Sequence, residues 1–405
     1  MVISLRKYTK YSFIIFTFSL KKCYICEKYI IMSHIHIALV GNETYPVYSV
    51  IQFLNPDKVF LICSDGHTGS IKEANTVSKK ISLPSEQVEL FPVAPADFDI
   101  IYHRIDELKN RIDTNDYLTI NITGGTKFWA LALYKAFVSR PDTQFYLFNQ
   151  NNTLWNLETN KSTPIAGLGL DTIISLYGND TTTFKNFRDY TEEDEKVLVE
   201  LEKARSFNFK AFNQLAATPA KENAEELKSK PSGMFTDSTG NAIMWVKPDK
   251  VVLTFKKKDG QMLNSQLSSP HAVSLTFNSG WFEFKVAKLL SGWSKAKEMR
   301  LNCIFPLKGG LLKNEVDIII NTDVKPVFVE CKTSVHTATD IDKFATVVSN
   351  YGGAACKAVF ITDQPMKDLP ATKCKESDIA AFALENKTVE DLYRFLDSIL
   401  LESNK

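Results

Sequence analysis

The chain is poor in net charge and in nucleotide-binding fingerprints. Its 405 residues carry 48 basic and 47 acidic side chains, a formal charge of +1, which excludes a protein coated in positive charge for indiscriminate phosphate binding. No Walker A spacing is present and no GxGxxG fingerprint follows the first predicted strand, which disfavours a Rossmann-type metabolic enzyme. Any contact with nucleic acid therefore has to come from a local patch.

Cysteine is also sparse, and its spacing is irregular. The seven cysteines are an odd, scattered set, which indicates free thiols in a reducing compartment and hence a cytoplasmic location. The one CxxC pair, Cys23 and Cys26, has no second pair or nearby histidine, so it does not complete a zinc site.

The first 31 residues differ from the rest of the chain. An apolar stretch at 11–20 is followed by Lys21 and Lys22, but a bilayer span needs about 20 apolar residues. No small-residue cleavage site follows, as a signal peptide would require. We therefore expect no membrane anchor and interpret residues 1–31 as a leader outside the native protein.

Three further segments follow from the hydrophobic pattern. Near-continuous apolar strands at 34–40, 58–63, 87–91, 117–121 and 143–148 alternate with amphipathic stretches, which predicts a doubly wound, Rossmann-like domain with a parallel sheet over 32–178. Residues 179–269 are interpreted as a connector, with a charged helix at 191–213, a polar linker at 218–233 and a short β-rich piece. Residues 270–405 predict a second α/β domain, which closes with an amphipathic helix.

Two predicted strands of the second domain place charges inside apolar runs. Asp317 precedes three isoleucines, while Glu330 and Lys332 follow Val-Phe-Val. A tight turn at 322–323 would set Asp317 opposite Phe328, with Glu330 diagonal to it on the same face. The alternative is a solvated hairpin face with cross-strand salt bridges, but charges within buried-strand sequence are costly unless they are paired or bind metal.

Converging carboxylates of this kind are typical of a divalent metal site. Oxygen ligands suit Mg²⁺ or Mn²⁺, and such a metal activates water and neutralises charge on a phosphate. Asp317 and Glu330 are the candidate ligands, and Glu283, on a predicted helix beside its apolar face, is a candidate third ligand. Lys332 would hold the attacking water or stabilise the transition state.

A second group of candidate residues lies where predicted strands of the first domain end. The run Asn-Ile-Thr-Gly-Gly-Thr-Lys at 121–127 joins a strand to a helix, where two glycines allow close approach and a helix N-terminus favours anions. The alternative is an ordinary strand–helix turn. The candidate ligand-binding residues at the ends of three strands are Gly41, Asn42, Thr44, Ser64, Asp65, Thr123, Gly124, Gly125, Thr126 and Lys127.

Together these residues resemble the CRISPR-associated CARF nucleases of type III systems. Asp317, Glu330 and Lys332 match the Asp…Glu-x-Lys of the PD-(D/E)XK family, with Val316 in place of the usual proline. The resemblance implies an α/β protein with an N-terminal CARF domain and a C-terminal restriction-endonuclease-like domain. It also implies a homodimer that binds cyclic tetra-adenylate, or cyclic hexa-adenylate, and then cleaves DNA, RNA or both.

Two other functions are alternatives to the one that this resemblance implies. A HEPN ribonuclease is rejected because no arginine has a histidine at the Arg-x4–6-His distance. A CARF-type regulator with a non-catalytic nuclease-like domain stays open, although the intact Asp317, Glu330 and Lys332 weigh against it.

A candidate basic patch for substrate, or else a solvated helix face, consists of Lys285, Lys288, Lys295, Lys297 and Arg300.

Overall fold

The computed structural model describes most of the chain beyond the predicted leader. The described residues are 32–66, 69–149, 151–178, 183–221, 224–305, 314–323, 325–335, 337–353 and 356–401. Ser33–Lys405 form one compact unit. The leader prediction for residues 1–31 and the cysteine pair within it lie outside the described residues.

The N-terminal sheet has seven strands within the described ranges, in the order β3-β2-β1-β4-β5-β6-β7. The strands are β1 (His34–Leu39), β2 (Lys58–Cys63), β3 (Val88–Pro92), β4 (Tyr117–Asn121), β5 (Thr143–Phe148), β6 (Thr153–Asn156) and β7 (Lys161–Pro164). The first five are parallel, and β6 and β7 are antiparallel. The helices are α1 (Tyr45–Leu54), α2 (Ile71–Lys80), α3 (Phe98–Lys109), α4 (Lys127–Phe137) and α5 (Leu170–Leu176).

Helices cover both faces of this sheet, which confirms the predicted doubly wound domain. Apolar residues of α1 and α2 pack on one face, and those of α3 and α4 pack on the other. The five predicted strands are observed within one residue of their predicted ends. Because the strand order reverses between β1 and β4, the loops after these strands flank a topological switch point, where such sheets bind ligands.

The middle segment is more structured than its sequence predicts. It contains β8 (Thr183–Asn186), α6 (Glu192–Phe207), α7 (Phe209–Lys221), α8 (Ala224–Ser229), β9 (Ser232–Thr236), β10 (Ala242–Val246), β11 (Lys250–Lys256) and β12 (Met262–Ser268). Strands β9–β12 form an antiparallel sheet, and helices occupy much of the predicted linker at 218–233. Apolar residues of α6, α7 and this sheet share a core with the C-terminal domain, which is why a segment of polar composition is folded.

The C-terminal domain is built on a mixed sheet with the order β17-β16-β15-β14-β13-β8 among the described strands. Its elements are α9 (Ala272–Thr276), α10 (Gly280–Ser291), β13 (Glu298–Phe305), β14 (Asn314–Asn321), β15 (Pro326–Lys332), α11 (Thr339–Tyr351), β16 (Lys357–Thr362), α12 (Asp368–Glu376), β17 (Ile379–Ala383) and α13 (Val389–Leu401). Helices α10 and α13 pack on one face, and α11 packs on the other.

The expected register of the β14–β15 hairpin is wrong by two residues. Ile318 pairs with Val329 and Asn321 with Pro326, because the connection is a four-residue loop in which Thr322 Oγ1 bonds to the backbone N and O of Lys325. Continuing this register places Asp317 opposite Glu330 rather than Phe328. A shift of two residues keeps every side chain on its predicted face, so the two carboxylates still converge.

The candidate basic patch is also corrected. Arg300 lies in β13, not on a helix, and is 5% exposed. Carboxylates from other elements neutralise four of the five cations, through the pairs Lys285–Glu202, Lys288–Glu195, Lys295–Asp397 and Arg300–Asp171. Four of the five cations are therefore compensated by carboxylates and tie elements together.

Two expectations from composition concern the membrane and the thiols. Among the described helices, none is long and apolar enough to span a bilayer. The cysteines of the described residues are free and buried, at 63, 303, 331, 356 and 374. Burial raises the pKa of each of these thiols, so they are core residues rather than nucleophiles.

Candidate functional site

The β14–β15 hairpin brings Asp317, Glu330 and Lys332 together. Asp317 is 7% exposed, and its Oδ2 accepts a hydrogen bond of 2.7 Å from the backbone N–H of Cys331. Lys332 Nζ lies 2.5 Å from Glu330 Oε1. The isoleucine and valine runs force these strands into the core, so the charged residues at the strand ends are held in a largely desolvated environment.

Helix α10 adds Glu283 to the same group. The residues around Glu283 on α10 pack into the core, which fixes its carboxylate toward the hairpin. Glu283 Oε2 accepts a hydrogen bond of 2.9 Å from Asn302 Nδ2. Burial, followed by the Asp317 carboxylate, raises the pKa of Glu283 to about 8. The four residues predicted from the sequence therefore form one electrostatic group.

Burial, and after it the crowding of like charges, sets the pKa values of this group. Burial, followed by the Asp317 carboxylate, raises the pKa of Glu330 to about 7. Burial likewise raises the pKa of Asp317, although Lys332 opposes this. Burial lowers the pKa of Lys332, but Asp317 and Glu330 outweigh it and raise the pKa above its usual value. Lys332 is thus a fixed ammonium at neutral pH, suited to stabilising negative charge and unable to act as a base.

Sequence reasoning missed two residues at this site. Asn302 occupies an irregular point of β13, where its φ is +48° and the pairing with β8 shifts register. Such an asparagine has no sequence signature except its tolerance of the left-handed region. Glu315 lies two residues before Asp317 in β14 and is exposed, and its charge adds to the pKa increases of Glu283 and Glu330 after burial and Asp317. Alternation along the strand could have identified Glu315.

The side chains are not arranged as a ready-made metal cage. In the part of the chain that the structure describes, no group of three His, Cys, Asp or Glu side chains is close enough to hold a metal ion. The direct partner of Glu330 is the Lys332 ammonium. The donor atoms are nevertheless carboxylate oxygens, the type that hard divalent cations prefer.

The predicted ligand loops meet at the switch point of the N-terminal sheet. A Cβ on Gly41 would lie 3.0 Å from the backbone N of Gly125, and one on Gly124 would collide with the carbonyl oxygen of Leu39. Gly125 has a φ of +69°, and a Cβ there would meet the Trp129 ring at 2.7 Å. The glycines are therefore required for the two loops to pack against each other.

The threonines and lysine of the second loop set up the start of α4. Thr126 is the N-cap, and its side chain accepts a hydrogen bond from the Trp129 N–H. Thr123 Oγ1 donates to Asn121 Oδ1 and accepts from the Phe148 N–H. Lys127, the first helical residue, is exposed. This loop presents a helix N-terminus and a cation at the switch point, an arrangement that favours an anion.

The other predicted ligand residues lie in the loops that follow β1 and β2. Asn42 and Asp65 are exposed, and Ser64 exchanges hydrogen bonds with Ser70 across the β2–α2 loop. Thr44 differs from these, because it is 2% exposed and its hydroxyl donates to the Leu176 carbonyl. Its side chain therefore supports the loop, and contact from this position with a ligand would have to come from the backbone.

Comparisons with known proteins are consistent with this geometry. Residues 35–170 match a family model described as the Card1 CARF domain, and comparison with curated proteins finds no match. Among solved structures, Can2 from Sulfobacillus thermosulfidooxidans, in complex with cyclic tetra-adenylate, has a TM-score of 0.64 at 16% identity, covering 91% of this chain and 100% of that one. Protein VC1899 from Vibrio cholerae has a TM-score of 0.66 at 15% identity, covering 91% and 98%.

A third similar structure is a type III CRISPR defence DNA nuclease activated by cyclic oligoadenylate. It has a TM-score of 0.50 at 17% identity, with 90% of this chain and 51% of that chain covered. At such identities the likeness concerns the fold, and it extends over both α/β domains. Residues 35–170 therefore resemble a CARF domain, and the fold of the chain resembles that of Can2 and of a cyclic-oligoadenylate-activated DNA nuclease.

Proposed function

We propose that this protein is a metal-dependent endonuclease of type III CRISPR antiviral defence, activated by a cyclic oligoadenylate. Its substrate is single-stranded DNA or RNA, or supercoiled DNA that it nicks. The observation that carries the proposal is the buried group of Glu283, Asp317, Glu330 and Lys332, placed in one chain with glycine loops at the switch point of a CARF domain.

The carboxylates of the group fit Mg²⁺ or Mn²⁺. Three acids whose pKa values are all raised by burial and crowding have more negative charge than Lys332 alone compensates, and a divalent cation would relieve this. Asp317, Glu330 and Glu283 would hold the metal, with Asn302 orienting Glu283 through its 2.9 Å hydrogen bond. When bound, the metal would lower the pKa of a water and neutralise charge on the phosphate.

Lys332 acts on the substrate phosphate. Its ammonium remains protonated because Asp317 and Glu330 keep its pKa high. It therefore donates hydrogen bonds to an anionic oxygen and stabilises the extra negative charge of the transition state. Its pairing with Glu330 holds it at the end of β15, where a phosphate would have to approach the carboxylates.

The activator binds at the loops after β1, β2 and β4. Thr44 supports these loops from beneath. The residues that line this edge are Gly41, Asn42, Ser64, Asp65, Thr123, Gly124, Gly125, Thr126 and Lys127. Phosphates of cyclic tetra-adenylate, or of the hexa-adenylate, would meet Lys127 and the N-terminus of α4. The fold shared with Can2, which was solved with cyclic tetra-adenylate, favours the smaller ring.

The exposed faces of α3 and α4 form the homodimer contact. Large apolar side chains are exposed there, with Phe98 at 46% and Leu131 at 64%, and the rings of Phe98 and Phe128 touch at 4.5 Å between centroids. Contiguous exposed apolar surface marks an interaction site. Helix α4 begins at the ligand loop, so a dimer built on this face brings two copies of the loop together around a two-fold symmetric activator.

Helix α5 connects the activator loops to the nuclease domain. At one end, Thr44 and Glu43 bond to Leu176 and Tyr177. At the other end, Arg300 of β13 pairs with Asp171 of α5, and the side chain of Asn321 bonds to the Leu168 carbonyl. A displacement of the loops is thereby transmitted to the sheet that carries the catalytic group, which is what gating requires.

The test is a cleavage assay with single-stranded DNA, single-stranded RNA and supercoiled plasmid. Each is incubated with Mn²⁺ or Mg²⁺, with and without cyclic tetra- or hexa-adenylate. Glu330→Ala should abolish cleavage without changing activator binding, while Glu193→Ala, an exposed acid on α6, should cleave normally. Cleavage that survives Glu330→Ala would refute the site, and cleavage indifferent to every activator would refute gating.

A regulator that binds cyclic oligoadenylate without cleaving is the second candidate. The observation that favours it is the lack, in the described residues, of a preformed three-ligand metal group. Activator binding by a wild-type protein that cuts none of the substrates, in either metal, would establish this alternative.

A further inference from the structure

A cavity of about 600 Å³ opens at the end of β15, at the residues that follow Lys332 in the chain. Its wall includes Thr333, which follows Lys332 at the end of β15, and Trp281, which lies two residues before Glu283 on α10. The backbone N–H of Asp363 also donates to the Lys332 carbonyl, which ties the wall to β15. The size falls within the range of sites for small organic molecules.

The opposite wall comes from the middle segment. Arg205 of α6 and Phe209 of α7 line the cavity. The Arg205 guanidinium lies 4.6 Å from the centre of the Phe209 ring and 4.9 Å from that of Trp281. Phe209 nevertheless remains 53% exposed. An aromatic ring that is both exposed and held by a stacked cation is a platform for a further planar group.

The charge of the cavity lining favours a neutral base over a phosphate as the occupant. Arg205 is the cation nearest the stack, but Asp363 pairs with it at 2.6 Å, so it offers a flat surface rather than a free positive charge. The side chains of Asn213 and Gln364 line the cavity as well, and each amide can both donate and accept hydrogen bonds. Such a lining suits a neutral heterocycle with polar edges better than an anion.

We propose that this cavity binds one unpaired nucleobase of the substrate strand beside the scissile phosphate. A base within a duplex is stacked and paired, so only a single-stranded or locally opened strand can fill the cavity. Lys367, which lines the cavity and is exposed, is placed to contact the backbone of that nucleotide. This assigns the middle segment a role in substrate selection, and it rests on the proposed nuclease function.

The test uses the full chain and single-stranded DNA and RNA oligonucleotides in which one abasic site is moved along the sequence. Loss of the base at one fixed position from the cut should raise KM about tenfold in the wild type, since one base–aromatic stack is worth about 1.4 kcal/mol or more. Phe209→Ala should raise KM on the intact strand by a similar factor and abolish the dependence on that position, while Phe209→Trp should retain it. Met244→Ala, an exposed side chain on the outer face of the small sheet, should match the wild type.

Binding separates failure of this proposal from failure of the nuclease function. In a Glu330→Gln background, fluorescence anisotropy with the same oligonucleotides measures the cavity without cleavage. A position-dependent loss that Phe209→Ala removes would support the cavity even if the wild type cut nothing. Equal binding of all abasic strands, or the same position dependence with and without Phe209, would overturn it.

Discussion

Tyr177 offers the sharpest test of how the activator loop is linked to the rest of the molecule. Its hydroxyl donates to Glu43 Oε2 at 3.0 Å, and burial, with the Glu43 charge adding to it, raises the pKa of Tyr177 well above its usual range. The hydroxyl is therefore a permanent donor. The Tyr177 ring also packs against Gly353 of the C-terminal domain, where a Cβ would collide with the ring.

The bond matters because of the charge it controls. Glu43 is a carboxylate between the candidate ligand residues Asn42 and Thr44, in a loop proposed to receive a polyanion. Directed toward Tyr177, the carboxylate is held away from the activator phosphates. Tyr177→Phe keeps the ring and its packing but removes this hydrogen bond, and a carboxylate that is no longer directed toward Tyr177 repels the ligand.

The magnitude follows from the bond that is lost. A hydrogen bond to a charged group contributes about 1.5–3 kcal/mol, which corresponds to a roughly 10- to 100-fold change in an equilibrium constant. Tyr177→Phe should therefore raise the cyclic tetra-adenylate concentration for half-maximal cleavage at least about tenfold. Cleavage at saturating activator should be retained, because the candidate catalytic residues are untouched and the Thr44–Leu176 bond still couples the loop to α5.

A second substitution makes the prediction decisive. Glu43→Gln in the Tyr177→Phe background removes the negative charge of Glu43. It should restore the half-maximal activator concentration to within about threefold of the wild type. The assay is cleavage of a fluorescent single-stranded oligonucleotide across an activator titration. An unchanged or lower half-maximal concentration in Tyr177→Phe, or no recovery in the double variant, would refute the reasoning.

Three further substitutions test separate parts of the molecule. Lys332→Met should lower kcat by about 10²- to 10³-fold, measured at saturating activator, because one stabilising donor is lost; an unchanged kcat would contradict its role. Leu131→Asp should convert the dimer to a monomer in light scattering, since a charge would be desolvated in the interface, whereas a persisting dimer would place the interface elsewhere. In Asp194, burial raises the pKa but hydrogen bonds from His271 and Thr191 outweigh it and hold it below its usual value, so the carboxylate stabilises the fold above the unfolded-state pKa of about 4 and loses this effect as pH falls. Asp194→Asn should therefore reduce Tm most near pH 7 and least near pH 3, and a pH-independent difference would contradict this.

The sequence predicted the four charged residues at the catalytic group because of where they stand. Acids beside isoleucine and valine runs have to be buried with the strands, and burial requires a partner. The register was wrong because a hairpin loop of two or four residues leaves the same apolar pattern. The face was still right, since both loop lengths preserve the alternation that sets Asp317 and Glu330 on one side.

Other features could not be read from local pattern. β13 was missed because Asn302 interrupts its alternation with a left-handed residue. The nearby cations were interpreted as a basic patch for substrate, with a solvated helix face as the alternative. Their acidic partners come from α6, α13 and α5, up to 129 residues away in the chain. Pairing over such distances depends on the tertiary fold, and no charge count of a segment shows it.

The ion pairs of the five predicted substrate-binding cations bear on how a chain of nearly zero net charge could bind nucleic acid. With four of the five predicted substrate-binding cations engaged by carboxylates, phosphate attraction cannot supply most of the substrate affinity. Lys332, Lys343 and Lys367 remain close to the site or on the helices after the β15 and β16 strands, a small set whose contribution falls steeply with salt. Stacking in the Phe209 cavity is insensitive to salt by comparison. We therefore expect substrate affinity to fall only weakly between low and physiological salt. In Phe209→Ala, the salt-dependent part should make up a larger share of the remaining binding free energy.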